Sequence, residues 1–442
     1  MTLFVGLGYL ICIPLATAIG RRPVIIGAAA ITTASTLWAG FAGGFFQLLV
    51  ALSLQGFAVG GSISMCLLMI LDATFIHERP YALSIYWCLG SAVIKSLTVP
   101  LPFITSLSTD WRHVYQLWSG VSVLSLALLL AFVPETFYIR PPVAFDGRVL
   151  VQNGFERAQM YDDWDLLQNS QNTKPLPDPP QRWSVTDQLK VSKARGAEWR
   201  SMLATFAQMP FCLINPLIFW VALLNACLLG AVIYLNLLQP SILNHRSDDV
   251  ETNSVFLSIS GAVGALLALP FSGPLTAWFT RFLSLRSGGT RHAEVYLPGF
   301  AIPTITGCLA VGLACAAVER DWSSAWQYVA STLSMLSYNT GNVATVLWMT
   351  EAFPRWASAA LSVLLFTGNL VAFIIGFKLS PWLPDDQIVP QSMVVIGLLA
   401  IMGIIAVPVA FWGKSVRQYI QCRWTLSEKG VIHSQRTGSV ST

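Results

Sequence analysis

One lysine lies well inside an apolar segment of the chain. Lys95 is the only charged residue of the stretch 82–107. A charge in hydrocarbon costs about 3 kcal/mol or more unless it is paired or hydrated. The functional interpretation is a cavity residue that meets an anionic or polar ligand, or that takes over the role of a lost charge. The alternative is that Lys95 snorkels or pairs locally, and a Lys95→Met substitution removes function only under the first interpretation.

Amide and phenol side chains recur in other apolar segments. Amides in hydrocarbon must find hydrogen-bond partners, so we expect them to face the interior of a helix bundle. There they either bond neighbouring helices or line a mostly apolar cavity. Together with Lys95, the ligand-binding candidates are Asn225, Tyr234, Asn236, Asn339 and Asn342.

Catalytic constellations do not emerge from the sequence. The five histidines are scattered over predicted loops without a metal box, and no Gly-x-Ser-x-Gly elbow occurs. Gly413-Lys414-Ser415 lacks the upstream glycine of a phosphate-binding loop and is more simply a helix end. These observations argue against an enzyme, and they indicate no cofactor and no metal.

Composition indicates a protein that crosses a membrane several times. The 442 residues are 54% hydrophobic and only 11% charged, with a mean hydropathy of +0.61, whereas soluble domains carry about 25% charged residues. The net charge of +4 comes without a dense basic stripe, which argues against nucleic acid as a partner. The cysteines show no CxxC pair or secreted spacing, so we expect no disulfide framework.

Eleven stretches are long and apolar enough to span a membrane as helices. They are 3–19, 23–42, 45–71, 82–107, 114–133, 210–238, 253–280, 297–318, 323–350, 356–378 and 391–413. We therefore predict an all-α polytopic membrane protein with two bundles (1–140 and 209–413). A central linker (141–208) with a short surface helix near 185–194 joins them, and a disordered tail (414–442) follows. Gly56 and Gly60, in small-xxx-small spacing, predict close helix packing.

Two turns of the chain are repeated at long range. The basic turn 13–23, whose two arginines mark a membrane surface, has a weaker echo at 273–281. The stretch 72–84 (acid, Ala, Phe, Arg, then Ala-Leu-Ser) returns at 351–362, an offset of 276 to 279 residues. Solvated helix ends and a gate of ion pairs are the alternatives at these turns. The gating and motif candidates are Gly20, Arg21, Arg22, Gln55, Asp72, Glu78, Arg79, Glu351 and Arg355.

The repeat and the distribution of charge predict the topology. Parallel halves suggest six spans each; because the first half shows five, we expect one spanning helix upstream of Met1. Placing the linker and tail in the cytoplasm puts ten Lys and Arg residues on that side, against four on the other. The positive-inside rule favours this orientation, and we predict the plasma membrane as the location.

At these residues the chain resembles the major facilitator superfamily, in particular fungal drug:proton antiporters. Gly20 to Pro23 resembles the end of the family's loop motif, Gly-x-Leu-Ala-Asp-Arg-x-Gly-Arg-Arg. Leu54 to Phe57 resembles the Arg-x-x-Gln-Gly motif, and Asp72 with His77-Glu78-Arg79 is similar to a turn common in fungal members. Pro134-Glu135-Thr136 is similar to the Pro-Glu-Thr that closes their sixth helix.

The chain departs from these motifs at charged positions. Thr17 and Ala18 stand where the loop motif has Asp and Arg, and Leu52 stands where the other motif has Arg. The resemblance assigns that Asp to a charge network latching the halves, and that Arg to proton coupling in many members. We therefore expect both devices to be altered in this chain.

The resemblance implies secondary active transport by alternating access. Its most direct implication is efflux of a drug-like compound or fungal metabolite. Uptake of a small polar solute and a truncated, non-transporting remnant are the open alternatives. The implied partners are a small-molecule substrate and the lipid bilayer, with protons as the candidate coupling ion and a monomer as the assembly.

Overall fold

A computed structural model shows that the chain is built almost entirely from helices. It describes residues 1–107, 110–137, 143–145, 148–152, 158–161, 189–194, 197–246, 249–286, 293–353, 356–379, 388–413, 415–417 and 419–420. Every candidate membrane span among these residues is helical, which confirms the expected all-α polytopic class. Most of the expected tail lies outside the described residues.

The described part of the first half contains five candidate spans. Its elements are α1 (Thr2–Ile19), α2 (Arg21–Gly40), α3 (Phe45–Ala73), α4 (Arg79–Ser84), a π-helical turn (Ile85–Leu89), α5 (Gly90–Thr98), α6 (Leu101–Leu107) and α7 (Arg112–Phe132). The span Arg79–Ile104 therefore contains a π-helical turn in its interior. Such turns occur frequently at functional sites in helices.

The central linker contains a small antiparallel sheet that was not predicted. Its strands are β1 (Val143–Phe145), β2 (Arg148–Gln152) and β3 (Ala158–Tyr161), with Val143 opposite Leu150 and Leu150 opposite Met160. The predicted surface helix is not found in 189–194, which form a turn and irregular chain; 185–188 lie outside the described residues. The Ala194 backbone N–H donates to the Ile19 carbonyl at 2.7 Å, so this segment is tied to the end of α1.

A helix that was not predicted begins inside the predicted linker and precedes the other helices of the second half. Its elements are α8 (Trp199–Ile214), α9 (Pro216–Arg246), α10 (Val250–Pro270), a π-helical turn (Phe271–Leu275), α11 (Thr276–Arg286), a 3₁₀ helix (Ala293–Phe300), α12 (Ala301–Glu319), α13 (Ala325–Ala352), α14 (Ala357–Leu379) and α15 (Ile388–Ile404). Asn215 separates α8 from α9: its side-chain oxygen accepts the Leu217 N–H at 3.0 Å, and Pro216 suits the first helical position.

One predicted span is more polar than the others. Ten helical runs of the described residues are apolar enough to cross a membrane, and α13, predicted as 323–350, is not among them. It has 28 residues, or about 42 Å at 1.5 Å per residue, which still exceeds the bilayer core. Residues 339–350 are all buried, because α9, α10 and α12 pack on α13. Its polar side chains therefore face protein rather than lipid.

Several helix contacts join the halves: α1 packs on α14 and on α8, and α5 packs on α10. Within the second half, α9 contacts α12, α13, α14 and α15 and lies among them. The described part of the first half has no helix enclosed to this degree. Its helices α3, α5 and α7 retain exposed apolar side chains such as Phe46, Ile94 and Leu124.

Glycines permit the closest helix contacts in the first half. A Cβ at Gly60 would overlap the Val5 carbonyl oxygen, and one at Gly56 would lie 2.7 Å from the Met1 carbonyl oxygen. Helices α1 and α3 therefore approach backbone to backbone. The predicted packing role of Gly56 and Gly60 is confirmed.

Candidate functional site

A basic turn at one end of the bundle is built around a single carboxylate. This end, where the central linker joins α7 and α8, is called the linker end. Glu135 accepts the backbone N–H groups of Arg21 at 2.9 Å and Arg22 at 3.1 Å, and so caps the start of α2. Gly20 has φ 118°, and a Cβ there would lie 2.5 Å from a Glu135 oxygen. The turn therefore requires glycine both for its conformation and for its contact with Glu135.

The two arginines of this turn are buried in protein. The Arg21 Nε lies 3.0 Å from an Asp72 oxygen, and its guanidinium stacks 4.9 Å from the Phe137 ring centre. Arg22 is only 1% exposed and donates to the carbonyls of Val133 and of Leu130, the latter at 2.8 Å. The arginines thus tie α2 to α3 and to the end of α7, all within the first half.

The second half carries a similar contact with the charges exchanged. Glu294, at the start of the 3₁₀ helix, pairs with Arg417 beyond α15 at 3.1 Å. In the first half the arginines begin α2, and the carboxylate of Glu135 follows α7. The sequence did not predict this pair, because Arg417 lies in the expected tail.

An ion pair between Arg79 and Glu351 joins the halves at the linker end. The Arg79 Nη1 lies 3.0 Å from a Glu351 oxygen, with side-chain exposures of 12% and 20%. Glu78 is not part of this pair: its side chain is 53% exposed and lies 3.8 Å from His77. Arg355 lies outside the described residues. The two repeated turns therefore meet through Arg79 of one and Glu351 of the other.

Next to this pair, the two π-helical turns meet across the boundary between the halves. Ser84 lies 2.8 Å from the Ser272 hydroxyl and donates to the Leu269 carbonyl at 3.0 Å. Cys88 lies 3.4 Å from the same Ser272 oxygen. A Cβ at Gly273 would lie 3.1 Å from Ser84 Oγ. The sequence did not predict this serine–cysteine contact, although the echo turn 273–281 had been noted.

Further inside, a polar band connects three helices from both halves. Ser91 of α5 donates to the Asn339 side-chain oxygen of α13 at 2.8 Å. One turn away, the Asn225 amide of α9 donates to Asn342 Oδ1 at 3.1 Å and to Thr345 Oγ1 at 3.3 Å. Asn225, Asn339 and Asn342 are at most 4% exposed. The three asparagines thus lie in the protein interior, as expected, and one of them contacts the opposite half.

Lys95 lies one turn beyond Ser91 on the same face of α5. Its aliphatic carbons run over Gly261 of α10, where an added Cβ would lie 3.2 Å from Cδ. Thr98 of α5 donates to Ser258 of α10 at 3.2 Å and continues this face. Among the described residues, the Lys95 ammonium has no hydrogen bond and no ion pair.

The family profile of the Major Facilitator Superfamily matches residues 1–376. The chain belongs to the Major Facilitator Superfamily. It is therefore a multi-pass membrane protein of a superfamily whose members are secondary transporters of small solutes rather than enzymes. No curated protein matches the chain at a significant level.

Three other residues that the sequence had singled out lie apart from the polar band. The Tyr234 hydroxyl bonds Ser392 at 2.7 Å and the Ile388 carbonyl at 3.3 Å, which anchors α15 to α9. Gln55 donates to Thr36 Oγ1 at 3.2 Å, between α3 and α2. Asn236 is exposed on α9. The expectation that this amide faces the bundle interior is wrong, because a residue's position along a long helix does not determine which side its neighbours cover.

An aromatic cluster adjoins the band and was not singled out as a site. Trp87 packs edge-on against Tyr338 of α13 at 6.2 Å and against Tyr86 at 5.4 Å. The Tyr86 hydroxyl donates to the Ile63 carbonyl at 3.0 Å. The Trp87 indole N–H is buried without a hydrogen bond among the described residues. Aromatic residues are common in membrane helices, so their sequence positions carried no signal for this cluster.

Proposed function

We propose that this chain is a secondary active transporter that exports a small organic molecule by alternating access. The polar band of Ser91, Asn225, Asn339 and Asn342 carries the proposal. Substrate sites of such transporters lie near the bilayer midplane, between the two repeated halves. In α13, Asn342 lies ten residues before the helix end, or about 15 Å deep. A ligand that replaces the Ser91–Asn339 bond would contact both halves at once.

The moving bodies in this proposal are residues 1–140 and 209–413, with 141–208 as the linker between them. Arg79–Glu351 and Ser84–Ser272 are contacts between the halves, so both must break when the linker end opens. Gly20, Arg21, Arg22 and Asp72 act differently: the Arg21–Asp72 pair and the contacts of Gly20, Arg21 and Arg22 with Glu135 lie within the first half and keep it rigid as it moves. The Glu294–Arg417 pair does the same in the second half.

The substrate we propose is a drug-like compound or metabolite. Trp87 and Tyr338 offer apolar area beside the amides, which suits a molecule with both aromatic and polar parts. The resemblance to fungal drug:proton antiporters supports export. Uptake of a small polar solute is the second candidate, and the hydrogen-bonding groups of the band favour it.

For orientation we propose a cytoplasmic linker and C-terminus, a plasma-membrane location and a monomer. The ten-to-four distribution of Lys and Arg supports the orientation. An epitope inserted at Pro180 in the linker should bind antibody only after the cells are permeabilised. Labelling of intact cells would reverse the assignment.

Reconstituted vesicles test the proposed transport directly. The purified full chain should move rhodamine 6G, or one of a panel of drug-like dyes, down an imposed gradient faster than protein-free vesicles. Asn339→Leu should reduce the rate, because it removes the acceptor of Ser91. Asn369→Leu is the matched control, since the hydrogen bond that its amide donates in the described part of the chain goes to the Leu365 carbonyl of its own helix, at 2.9 Å.

The outcomes separate the candidate functions. Flux that falls in Asn339→Leu and persists in Asn369→Leu supports transport through the band. Folded protein that moves no compound in either direction would refute the transporter and favour the remnant.

A further inference from the structure

Lys95 is placed for a ligand rather than for a structural partner. Its neighbours one turn away on either side, Ser91 and Thr98, each bond a residue of the opposite half. Between these two satisfied groups, the Lys95 ammonium has no partner among the described residues. A cation away from bulk water without a counter-charge costs several kcal/mol. A bound anion that pairs with the ammonium would recover that cost.

The opposite helix provides space for this lysine. Gly261 of α10 has no side chain where the Lys95 stem crosses it, and an added Cβ would lie 3.2 to 3.5 Å from three stem carbons. The side chain of Lys95, a residue of the first half, therefore contacts the second half through its stem. An anion bound there would be held at the boundary between the moving halves.

The same face of α5 and its preceding turn offers further recognition groups. Trp87 lies two helical turns before Lys95, and its indole N–H is buried without a bonding partner in the described chain. Tyr338 packs on it edge-on. Along the helix, this face presents an aromatic surface, then an N–H donor without a described partner, then a cation. This order suits an amphipathic molecule with an acidic group at one end.

We propose that the substrate of this transporter is an organic anion whose carboxylate, or equivalent acidic group, pairs with Lys95. This inference rests on the proposed transport function and narrows its substrate class. The acidic group would lie near Gly261, and the apolar part would extend toward Trp87. Charge-assisted hydrogen bonds of this kind are stronger than neutral ones.

Matched pairs of acids and amides test the proposal. The probes are 1-naphthoate, benzoate and octanoate, each with its neutral amide, and binding is measured on the purified full chain in nanodiscs. In the unsubstituted protein and in Lys95→Arg, at least one acid should bind about ten- to a hundred-fold more tightly than its amide. In Lys95→Met this preference should vanish. Ile94→Met is the control, since Ile94 is 64% exposed on another face of α5.

A second measurement needs no ligand. Because the ammonium lacks a described partner, Lys95→Met should keep or raise the melting temperature of the ligand-free protein. A fall in that temperature, relative to Ile94→Met, would show that Lys95 is held structurally and would overturn the proposal. An acid preference that survives in Lys95→Met, or acids that bind no better than amides, would overturn it as well.

Failure of the proposal can be told from failure of the transport function. If dye flux persists and no acid depends on Lys95, the chain is a transporter and the anion inference is wrong. If an acid binds through Lys95 but no compound crosses the vesicle membrane, the binding site stands and the transport function is wrong.

Discussion

The Arg79–Glu351 ion pair should control how often the linker end opens. Its atoms lie 3.0 Å apart, and the side chains are 12% and 20% exposed, so solvent screens the pair less than a surface salt bridge, which contributes about 0–1 kcal/mol. A hydrogen bond to a charged group contributes about 1.5–3 kcal/mol. Glu351→Gln should therefore weaken the closed linker end by about 2 kcal/mol. At 1.4 kcal/mol per tenfold change, the open population rises about thirty-fold.

Cys88 provides a native reporter of this opening. It is fully buried and lies 3.4 Å from Ser272 across the boundary between the halves. With the other cysteines replaced, Glu351→Gln should increase the rate of Cys88 alkylation by a membrane-permeant maleimide by up to about thirty-fold, in proportion to the open population. Mass spectrometry of the labelled protein in nanodiscs gives the rate.

Two further variants make this test specific. Glu78→Gln removes a nearby carboxylate that is 53% exposed and lies 3.8 Å from His77, so its labelling rate should equal that of the unsubstituted protein. Exchange of the charges, Arg79→Glu with Glu351→Arg, should restore slow labelling. Equal rates in Glu351→Gln and Glu78→Gln would refute the assignment of the ion pair as a gate.

Three other substitutions probe the packing, the basic turn and the polar band. Gly60→Ala should lower the melting temperature, because overpacking against the Val5 backbone costs about 1–3 kcal/mol. Gly27→Ala is the control and should not lower it, since its methyl group would enter open space. Equal melting temperatures of the two variants would contradict the α1–α3 contact. Glu135→Ala should cost about 1–3 kcal/mol, because the three backbone N–H groups whose hydrogen bonds it accepts, those of Arg21, Arg22 and Phe137, lose that partner. Exposed Glu198→Ala is the control, and thermal unfolding in nanodiscs compares the two variants. Asn342→Leu should destabilise the fold, because the Asn225 amide then keeps only its hydrogen bond to Thr345 of the two described. Adding Asn225→Leu should recover stability but not dye flux. Recovery of both would show that the two asparagines have a packing role and no role in transport.

The span of α13 shows which features a hydropathy pattern predicts and which it does not. Its position and length followed from the pattern around 323–350, and the helix observed is Ala325–Ala352. Its enclosure by α9, α10 and α12 did not follow, because a polar helix in a membrane protein can equally line a wide aqueous channel. Only the packing of its neighbours shows that residues 339–350 face protein.

By itself, the sequence determined the properties that are local or periodic. Runs of apolar residues must form helices in hydrocarbon, because their backbone groups have no other partners there. The inward position of Asn225, Asn339 and Asn342 follows from the similar need of their amides for hydrogen-bond partners. The charged turns repeated at an offset of 276 to 279 residues are visible in the sequence itself.

Tertiary structure alone decided which charges and amides meet. The Arg79–Glu351 contact joins residues 272 positions apart, and Glu135 reaches Arg21 across 114. No local pattern encodes such pairs, because each depends on how two whole helices rotate and approach. The two arginines of the basic turn, which the sequence suggested as markers of a membrane surface, are also buried contacts that tie α2 to α3 and to the end of α7. Lys95 was notable from its sequence position alone. The structure adds that its stem crosses Gly261 of the second half and that its ammonium has no counter-charge among the described residues.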